Sequence, residues 1–198
     1  VELGVNHQTN LEEFIKELPF GIRSTYGTNT PCVEIVGGSE YIICDAGSGM
    51  RDLGKSLVSN RSDKHMVINL IMSHLHWDHM QGFPFFIPAY IQGTTIRIWG
   101  CHPNIEESFI KQQESPFFPV RLSDMGANIS FHRMVPGQQY NLGGIEIGIQ
   151  EQPHPGLSYG YSFISGGKKI VYSTDVEHEE VTNDGLNPFI DFYQNADV

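Results

Sequence analysis

The amino-acid sequence predicts an α+β domain in which short β-hairpins alternate with helices. Two pairs of apolar segments meet across Gly-Gly turns, at residues 37–38 and 166–167, as expected for hairpins. The nearly all-apolar run at residues 66–72 is typical of a strand buried on both faces. Hairpins interrupted by helices favour a layered arrangement of sheets and helices over one doubly wound sheet. We expect residues 1–198 to form a single domain.

The first elements are a helix, a turn and a hairpin. Residues 12–18 have a helical pattern that stops at Pro19, and residues 26–31 (YGTNTP) have turn composition. Residues 32–36 and 41–44 are apolar segments on either side of the first Gly-Gly turn, so we expect them to pair as antiparallel strands.

Asp45 and the small residues after it end this hairpin. Ser48 is predicted to cap a helix that runs to about residue 59. The buried strand at 66–72 follows, and after it an aromatic stretch, residues 83–90, that two prolines interrupt. The remaining predicted elements are strands at residues 94–99, 129–134, 139–142, 145–150, 160–164 and 169–173 and helices at residues 105–113 and 188–194.

Composition excludes several classes of protein. The net charge is −11 and there is no cluster of Lys and Arg, which argues against a long nucleic acid as partner. No apolar run has the length of a membrane span, so we expect no membrane partner. Three cysteines without CxxC spacing indicate a reducing compartment, the cytoplasm, with Cys32 and Cys44 as core residues instead of a disulfide.

The segment SHLHWDHMQG, residues 73–82, is the main chemical signal. It places three histidines and one aspartate within six residues, directly after the buried strand. His74 and His76 alternate, so in extended backbone they point to the same side. Imidazole nitrogens and carboxylate oxygens crowded in this way are ligands that Zn²⁺ and similar ions prefer. The segment therefore predicts a metal site at the end of the strand.

Two further candidates follow other strands. His154 comes after the strand at 145–150, and Asp175 comes after the strand at 169–173. Polar residues just beyond strand ends are where sites gather in sheet-based folds. Each is weak alone, but their order after the histidine segment strengthens the metal-site prediction.

The motifs HLHWDH, HPG and STD, in this order, resemble those of the metallo-β-lactamase superfamily of metal-dependent hydrolases. GTNTPCVEI and DAGSG near the start resemble the arm that contains ribonuclease Z and the phosphonate-pathway cyclic phosphodiesterases. The resemblance implies a four-layer αββα sandwich. It also implies two divalent ions, Zn²⁺ by first expectation with Mn²⁺ or Fe²⁺ as alternatives.

The resemblance also implies a role for each candidate. His74, His76 and His154 would hold the first metal, Asp78 and His79 the second, and Asp175 would bridge them. Asp78 would also orient the attacking hydroxide as the catalytic residue. Asp45 would support the ligands from behind, or it is an ordinary turn carboxylate. Ser158 and His178 are candidates either for contact with the substrate or for support of the ligands.

One family feature has no counterpart in the sequence. The family places a last histidine ligand after a further strand, and no histidine follows His178. The family's first strand is also not evident before Tyr26. We therefore expect that the domain is truncated at both ends.

The expected activity is hydrolysis of a small or cyclic phosphodiester by a hydroxide held between the two metals. Thioester hydrolysis, and a non-catalytic domain that binds a nucleotide or a metal, remain alternatives. The aromatic residues at 83–90 are either core or a wall for the substrate. The sequence leaves the oligomeric state open, a homodimer included.

Overall fold

The computed structural model describes residues 29–59, 65–177 and 188–198, together with residues 14, 16 and 17. Of the helix predicted at residues 12–18, only those three are described, and they are helical. Of the turn predicted at residues 26–31, residues 26–28 lie outside the described residues.

Within the described residues, the first sheet has five strands in the order in which they occur in the chain. The β1–β2 hairpin is antiparallel, with Val33 opposite Cys44, which confirms the prediction. The remaining neighbours are parallel, and β3 lies at the centre with five of its six residues fully buried. The strands are β1 (Val33–Ile35), β2 (Tyr41–Cys44), β3 (Val67–Met72), β4 (Thr95–Gly100) and β5 (Asn128–Arg133).

The second sheet is an antiparallel meander of four strands in sequence order. Its last hairpin turns at residues 166–167, as predicted, with Ser165 opposite Lys168. The strands are β6 (Tyr140–Leu142), β7 (Ile145–Gln152), β8 (Ser158–Ser165) and β9 (Lys168–Tyr172).

Helices connect and cover the sheets. The longer ones occur close to the predicted positions, and the aromatic stretch at 83–90 forms two short 3-10 helices, Phe83–Phe85 and Ile87–Tyr90. The helices are α1 (Met50–Ser59), α2 (Trp77–Met80), α3 (Ile105–Gln112) and α4 (Pro188–Tyr193). No helix among the described residues is long and apolar enough to cross a membrane.

The prediction that Ser48 caps the following helix is wrong. Helix α1 begins at Met50, and the Ser48 hydroxyl instead accepts a hydrogen bond from the backbone N–H of Thr30 at 2.9 Å. The backbone N–H of Ser48 in turn donates to the Thr30 hydroxyl at 2.7 Å. Because a partner distant in sequence occupies the serine, it is not available to the helix amides.

Two hydrophobic cores separate the layers. One lies between the first sheet and its helices and joins Met50 and Phe109 to Leu70 of β3. The other lies between the two sheets and joins Ile71 of β3 to Tyr161 of β8. Alternate residues of β3 therefore enter different cores, as the strand's period of two requires.

Helix α4 covers the far side of the second sheet. Gly160 lies so close to the Phe192 ring that an added Cβ would be 3.1 Å from it, and the Tyr193 hydroxyl accepts a hydrogen bond from the Gln152 amide at 3.2 Å. The order of layers is helix, sheet, sheet, helix, which confirms the α+β sandwich. All three cysteines are unpaired, and Cys44 and Cys101 are buried.

Candidate metal centre

Loops from both sheets meet at one edge of the sandwich. The segment after β3 carries His74, His76 and helix α2, while His154 follows β7 and Asp175 follows β9. A backbone hydrogen bond joins the two sheets here, from the N–H of Tyr159 to the carbonyl of Ser73 at 3.0 Å. The six predicted ligands are thus brought together from three separate parts of the chain.

The first group consists of His74, His76, His154 and Asp175, whose ligand atoms all lie within 4.8 Å of one another. The Nδ1 atom of His76 is 3.0 Å from Nε2 of His74 and 3.1 Å from Nε2 of His154. The Oδ2 atom of Asp175 lies 3.8 Å from His74 Nε2 and 3.6 Å from His154 Nε2. Three ring nitrogens and one carboxylate oxygen therefore converge on a single point.

The second group consists of Asp78, His79 and Asp175. The Nε2 atom of His79 lies 3.5 Å from Asp78 Oδ2 and 3.6 Å from Asp175 Oδ1. Asp175 thus directs Oδ2 to the first group and Oδ1 to the second. One carboxylate is common to both groups.

These residues fit divalent cations. The Nε2 atom of His79 is buried and has no hydrogen-bond partner among the residues that the structure describes. A bound cation would satisfy this atom, and the set of imidazole and carboxylate donors suits Zn²⁺, Mn²⁺ or Fe²⁺. The cluster thus supports divalent metal binding by the chain.

The pKa of His74 favours metal binding, whereas the pKa of His79 is shifted in the opposite direction. Burial, and next the neighbouring His79, lower the pKa of His74 to about 4, so that its ring is neutral at pH 7 and free to coordinate. Burial also acts to lower the pKa of His79, but the hydrogen bond to Asp45 and the surrounding carboxylates outweigh it and raise that pKa.

Asp175 is an anion at neutral pH. Burial acts to raise its pKa, but the neighbouring His79, the Thr174 hydroxyl and two further histidines leave the pKa below its ordinary value. The charged form is the one that bridges metal ions, so the shift favours the predicted role.

Asp45 anchors the site from behind and is fully buried. Its Oδ1 accepts the backbone N–H of Ser73 at 2.7 Å. Its Oδ2 accepts the Ser73 hydroxyl at 2.6 Å, His79 Nδ1–H at 2.8 Å and the Tyr172 hydroxyl at 2.7 Å. Because Nδ1 of His79 donates to Asp45, the lone pair of that ring lies on Nε2, which faces the second group.

Gly82 lets the Asp45 loop lie against the histidine segment. The backbone N–H of Gly82 donates to the carbonyl of Ala46 at 2.7 Å, and that of Ala46 donates to the carbonyl of His79 at 2.8 Å. A Cβ atom at Gly82 would overlap the backbone carbonyl of Gly47. Only a residue without a side chain permits this approach.

The loop that carries His154 is a tight turn. The N–H of Leu157 donates to the carbonyl of His154 at 2.8 Å, and Gly156 and Leu157 both have positive φ, +85° and +66°. The Nε2 atom of His102 lies 3.3 Å from the carbonyl oxygen of Gly156 and 3.2 Å from that of Leu157. His102, at the end of β4, therefore holds this turn in place.

The residues predicted to contact substrate or support the ligands differ in burial. Ser158 begins β8 opposite Gln152 and is fully buried, so direct contact with substrate is not available to it in this position. Its alternative role, support of the ligands, stays a prediction. His178 lies outside the described residues. Of the aromatic residues, Phe83 and Phe86 are core, while Phe85 and Tyr90 are exposed.

Sequence reasoning missed three supporting residues. Tyr172 contacts Asp45, His102 contacts the His154 turn, and Glu177 lies beside His154. Tyr172 and Glu177 stand three residues before and two residues after Asp175, so proximity to a ligand was the one available signal.

Comparison with known proteins gives a consistent result. A family model described as "Beta-lactamase superfamily domain" matches residues 40–194. The metallo-beta-lactamase fold protein YhfI from Bacillus subtilis is 21% identical with a TM-score of 0.62, over 86% of this chain and 62% of that one. A metallo-beta-lactamase from Cronobacter sakazakii is 20% identical with a TM-score of 0.53, over 79% and 60%.

The short form of human tRNase Z is 18% identical with a TM-score of 0.53, over 79% of this chain and 65% of that one. At these identities the likeness shows a shared fold. The chain spans about three-fifths of the length of the first structures it matches. No curated protein matches it by sequence.

Proposed function

The chain belongs to the β-lactamase superfamily, and on that premise we propose that it hydrolyses a small or cyclic phosphodiester with two bound divalent ions. The fold and the cluster of histidine and aspartate side chains support a metal-dependent hydrolase. The number of ions and the phosphodiester substrate are the parts that we propose.

The division of Asp175 between the two groups carries the proposal of two ions. Its Oδ2 lies 3.6 Å from His154 Nε2 in the first group, and its Oδ1 lies 3.6 Å from His79 Nε2 in the second. A carboxylate bidentate to a single ion would direct both oxygens to the same point, and a monodentate one would leave its second oxygen away from other ligands. Opposite directions for the two oxygens are what a bridging ligand requires.

A phosphodiester suits such a site physically. Bound divalent ions, about 3.5–4 Å apart, would lower the pKa of water and neutralise charge on the phosphoryl oxygens. Asp78 is the most exposed carboxylate of the cluster, with 51% of its side chain accessible, and Oδ2 lies 3.5 Å from His79 Nε2. Its carboxylate can accept a proton from water that arrives from solvent.

The remaining features concern partners and location. The net charge of −11, without a basic cluster, supports a small substrate over a long nucleic acid and gives no basis for membrane binding. We propose Zn²⁺ as the resident ion because imidazole predominates among the ligands. Three unpaired cysteines support the cytoplasm as the compartment.

The test compares substrates and one matched pair of variants. The protein should turn over bis-p-nitrophenyl phosphate or a cyclic phosphodiester faster than a thioester, and should contain two equivalents of metal by elemental analysis. Asp78→Asn should lower kcat about 10²–10⁴-fold. Asp52→Asn, an exposed aspartate on α1 with 54% of its side chain accessible, is the control and should leave kcat unchanged.

Faster turnover of the thioester would contradict the phosphodiester assignment. One equivalent of metal would contradict the dinuclear centre, and full activity of Asp78→Asn would contradict the role of Asp78.

A further inference from the structure

We propose that Glu177 holds the outer ring nitrogen of His154 and so fixes this imidazole for metal binding. The inference rests on the proposed function, since it concerns a ligand of the first group. Glu177 is a positioning residue here, because it would act through His154 and not on the substrate.

The orientation of the His154 ring is the first step. Its Nε2 faces the cluster, 3.1 Å from His76 Nδ1 and 3.6 Å from Asp175 Oδ2. The opposite nitrogen, Nδ1, is buried and has no hydrogen-bond partner among the described residues. One carboxylate lies beside it, since Oε1 of Glu177 is 3.8 Å from Nδ1.

The chemistry of a histidine ligand gives the second step. An imidazole that binds a metal through Nε2 must carry its proton on Nδ1. That N–H is a buried donor, and leaving a buried donor unpaired costs free energy. Histidine ligands therefore usually donate this proton to a carboxylate, a carbonyl or a water. Glu177 places a carboxylate beside the Nδ1 atom of His154.

The backbone brings Glu177 within reach. Its N–H donates to the carbonyl of Pro153 at 2.7 Å, which ties the loop after β9 to the residue before His154. The side chain is 69% exposed, so it can change rotamer without displacing core residues. Closing the 3.8 Å separation to a charge-assisted hydrogen bond of about 2.8 Å takes a movement of roughly 1 Å.

His102 restrains the same loop from its other side, through the carbonyls of Gly156 and Leu157. With the backbone held at both ends, the remaining freedom of His154 is rotation of its ring. A hydrogen bond to Glu177 would restrict that rotation, and its charge would increase the basicity of Nε2.

The test uses three variants of the whole chain. Glu177→Ala removes the acceptor, and Glu177→Gln keeps an acceptor oxygen without its charge. Glu146→Ala is the control: it removes an exposed glutamate of β7, roughly 20 Å along the strand from the site. Zinc affinity is measured by competition with a chromophoric chelator, and thermal stability is measured separately with excess chelator.

Glu177→Ala should weaken the binding of one of two zinc ions about 10–100-fold, while Glu177→Gln recovers part of the affinity. Glu146→Ala should bind zinc like the parent protein. The melting temperature in chelator should be the same for all four proteins. In ¹⁵N NMR spectra of the zinc-loaded parent, His154 Nδ1–H should exchange slowly with water, and Glu177→Ala should make this exchange fast.

The outcomes separate the two proposals. If the parent protein binds no zinc, the proposed function fails. If it binds two ions and Glu177→Ala binds them equally well, only the role of Glu177 is overturned. A Glu177→Ala variant that melts lower in chelator by an amount sufficient to explain its weaker zinc binding would also overturn that role, because a structural defect would then suffice.

Discussion

Replacing Asp45 by asparagine should both destabilise the protein and remove one metal ion. The amide has nearly the shape of the carboxylate, and asparagine tolerates the positive φ of +59° at this position, so backbone strain does not enter. The backbone N–H of Ser73 can only donate, so the amide oxygen must take the place of Oδ1. The NH₂ group then replaces Oδ2 and faces three donors.

The magnitude follows from these three contacts. The hydroxyls of Ser73 and Tyr172 can rotate and accept, but His79 Nδ1 donates at 2.8 Å and can accept only if the ring changes tautomer. Charge-assisted hydrogen bonds contribute about 1.5–3 kcal/mol each. The NH₂ group has two hydrogens for three partners, so one charge-assisted bond is lost and the other two become weaker neutral bonds. The free energy of unfolding should therefore fall by about 3–5 kcal/mol.

The tautomer change affects metal binding as well. A His79 ring that accepts at Nδ1 carries its proton on Nε2, the atom that faces Asp78 and Asp175. That ring cannot coordinate an ion, so Asp45→Asn should bind one equivalent of metal, against the two proposed for the parent protein.

Urea unfolding in excess chelator, followed by tryptophan fluorescence, measures the stability change. With a slope of about 2 kcal/mol per molar urea, the midpoint should fall by about 1.5–2.5 M. Tyr172→Phe, which removes one donor and leaves the carboxylate, is the milder comparison at about 1 kcal/mol. A loss below about 1 kcal/mol for Asp45→Asn, together with two bound metals, would refute this reasoning.

Four further outcomes are expected. Asp175→Asn should lower the content of both metal ions measured by elemental analysis, because the two oxygens of Asp175 lie next to different groups. Gly82→Ala should lower the urea midpoint by more than 1 M, because its Cβ would overlap the Gly47 carbonyl. Removing metal should lower the melting temperature, since ligand at 100 times its Kd adds about 2.7 kcal/mol per site. Native thiols should react slowly with iodoacetamide at pH 8 and faster as the pH rises, because burial raises the pKa of Cys32, Cys44 and Cys101.

Each of these four predictions can be contradicted by a specific result. The bridge is refuted if Asp175→Asn retains one ion at full affinity, and the glycine contact is refuted by a Gly82→Ala midpoint equal to that of the parent. A melting temperature insensitive to chelator would show that the metal does not stabilise the fold. For Cys101, whose pKa is raised to about 11, the rate should still increase between pH 8 and pH 10, and a plateau below pH 9 would contradict that shift.

Much of the fold could be predicted because local signals and tertiary structure agree. The β1–β2 hairpin, the doubly buried β3 and the β8–β9 hairpin each have a turn or periodicity signal within the element itself. Ser48 shows where agreement fails, because its hydroxyl bonds to Thr30, eighteen residues away in the chain. A serine at a helix start does not show that its hydroxyl is already bonded to a distant residue.

The candidate ligands could be chosen from the sequence because their residue types and strand-end positions are local properties. Their supports are only partly accessible in this way: the resemblance makes Asp45 a candidate, with an ordinary turn carboxylate as the alternative, whereas Tyr172 and Glu177 are not singled out. Asp45 accepts hydrogen bonds from residues 28, 34 and 127 positions away. The first two partners follow β3, which pairs with β2, and the third, Tyr172 of β9, depends on how the two sheets pack. Binding of metal by the six predicted ligands stays a prediction.

The position of Asp175 in both groups also bears on the order of folding. His74 and His79 follow β3 of the first sheet, whereas Asp175 follows β9 of the second, about a hundred residues later. Neither half of the chain contains either group complete, so tight capture of an ion must wait until the two sheets have docked. The rate of metal uptake during refolding would then report the rate of that docking step. The first half of the chain should leave the ribosome without a bound ion.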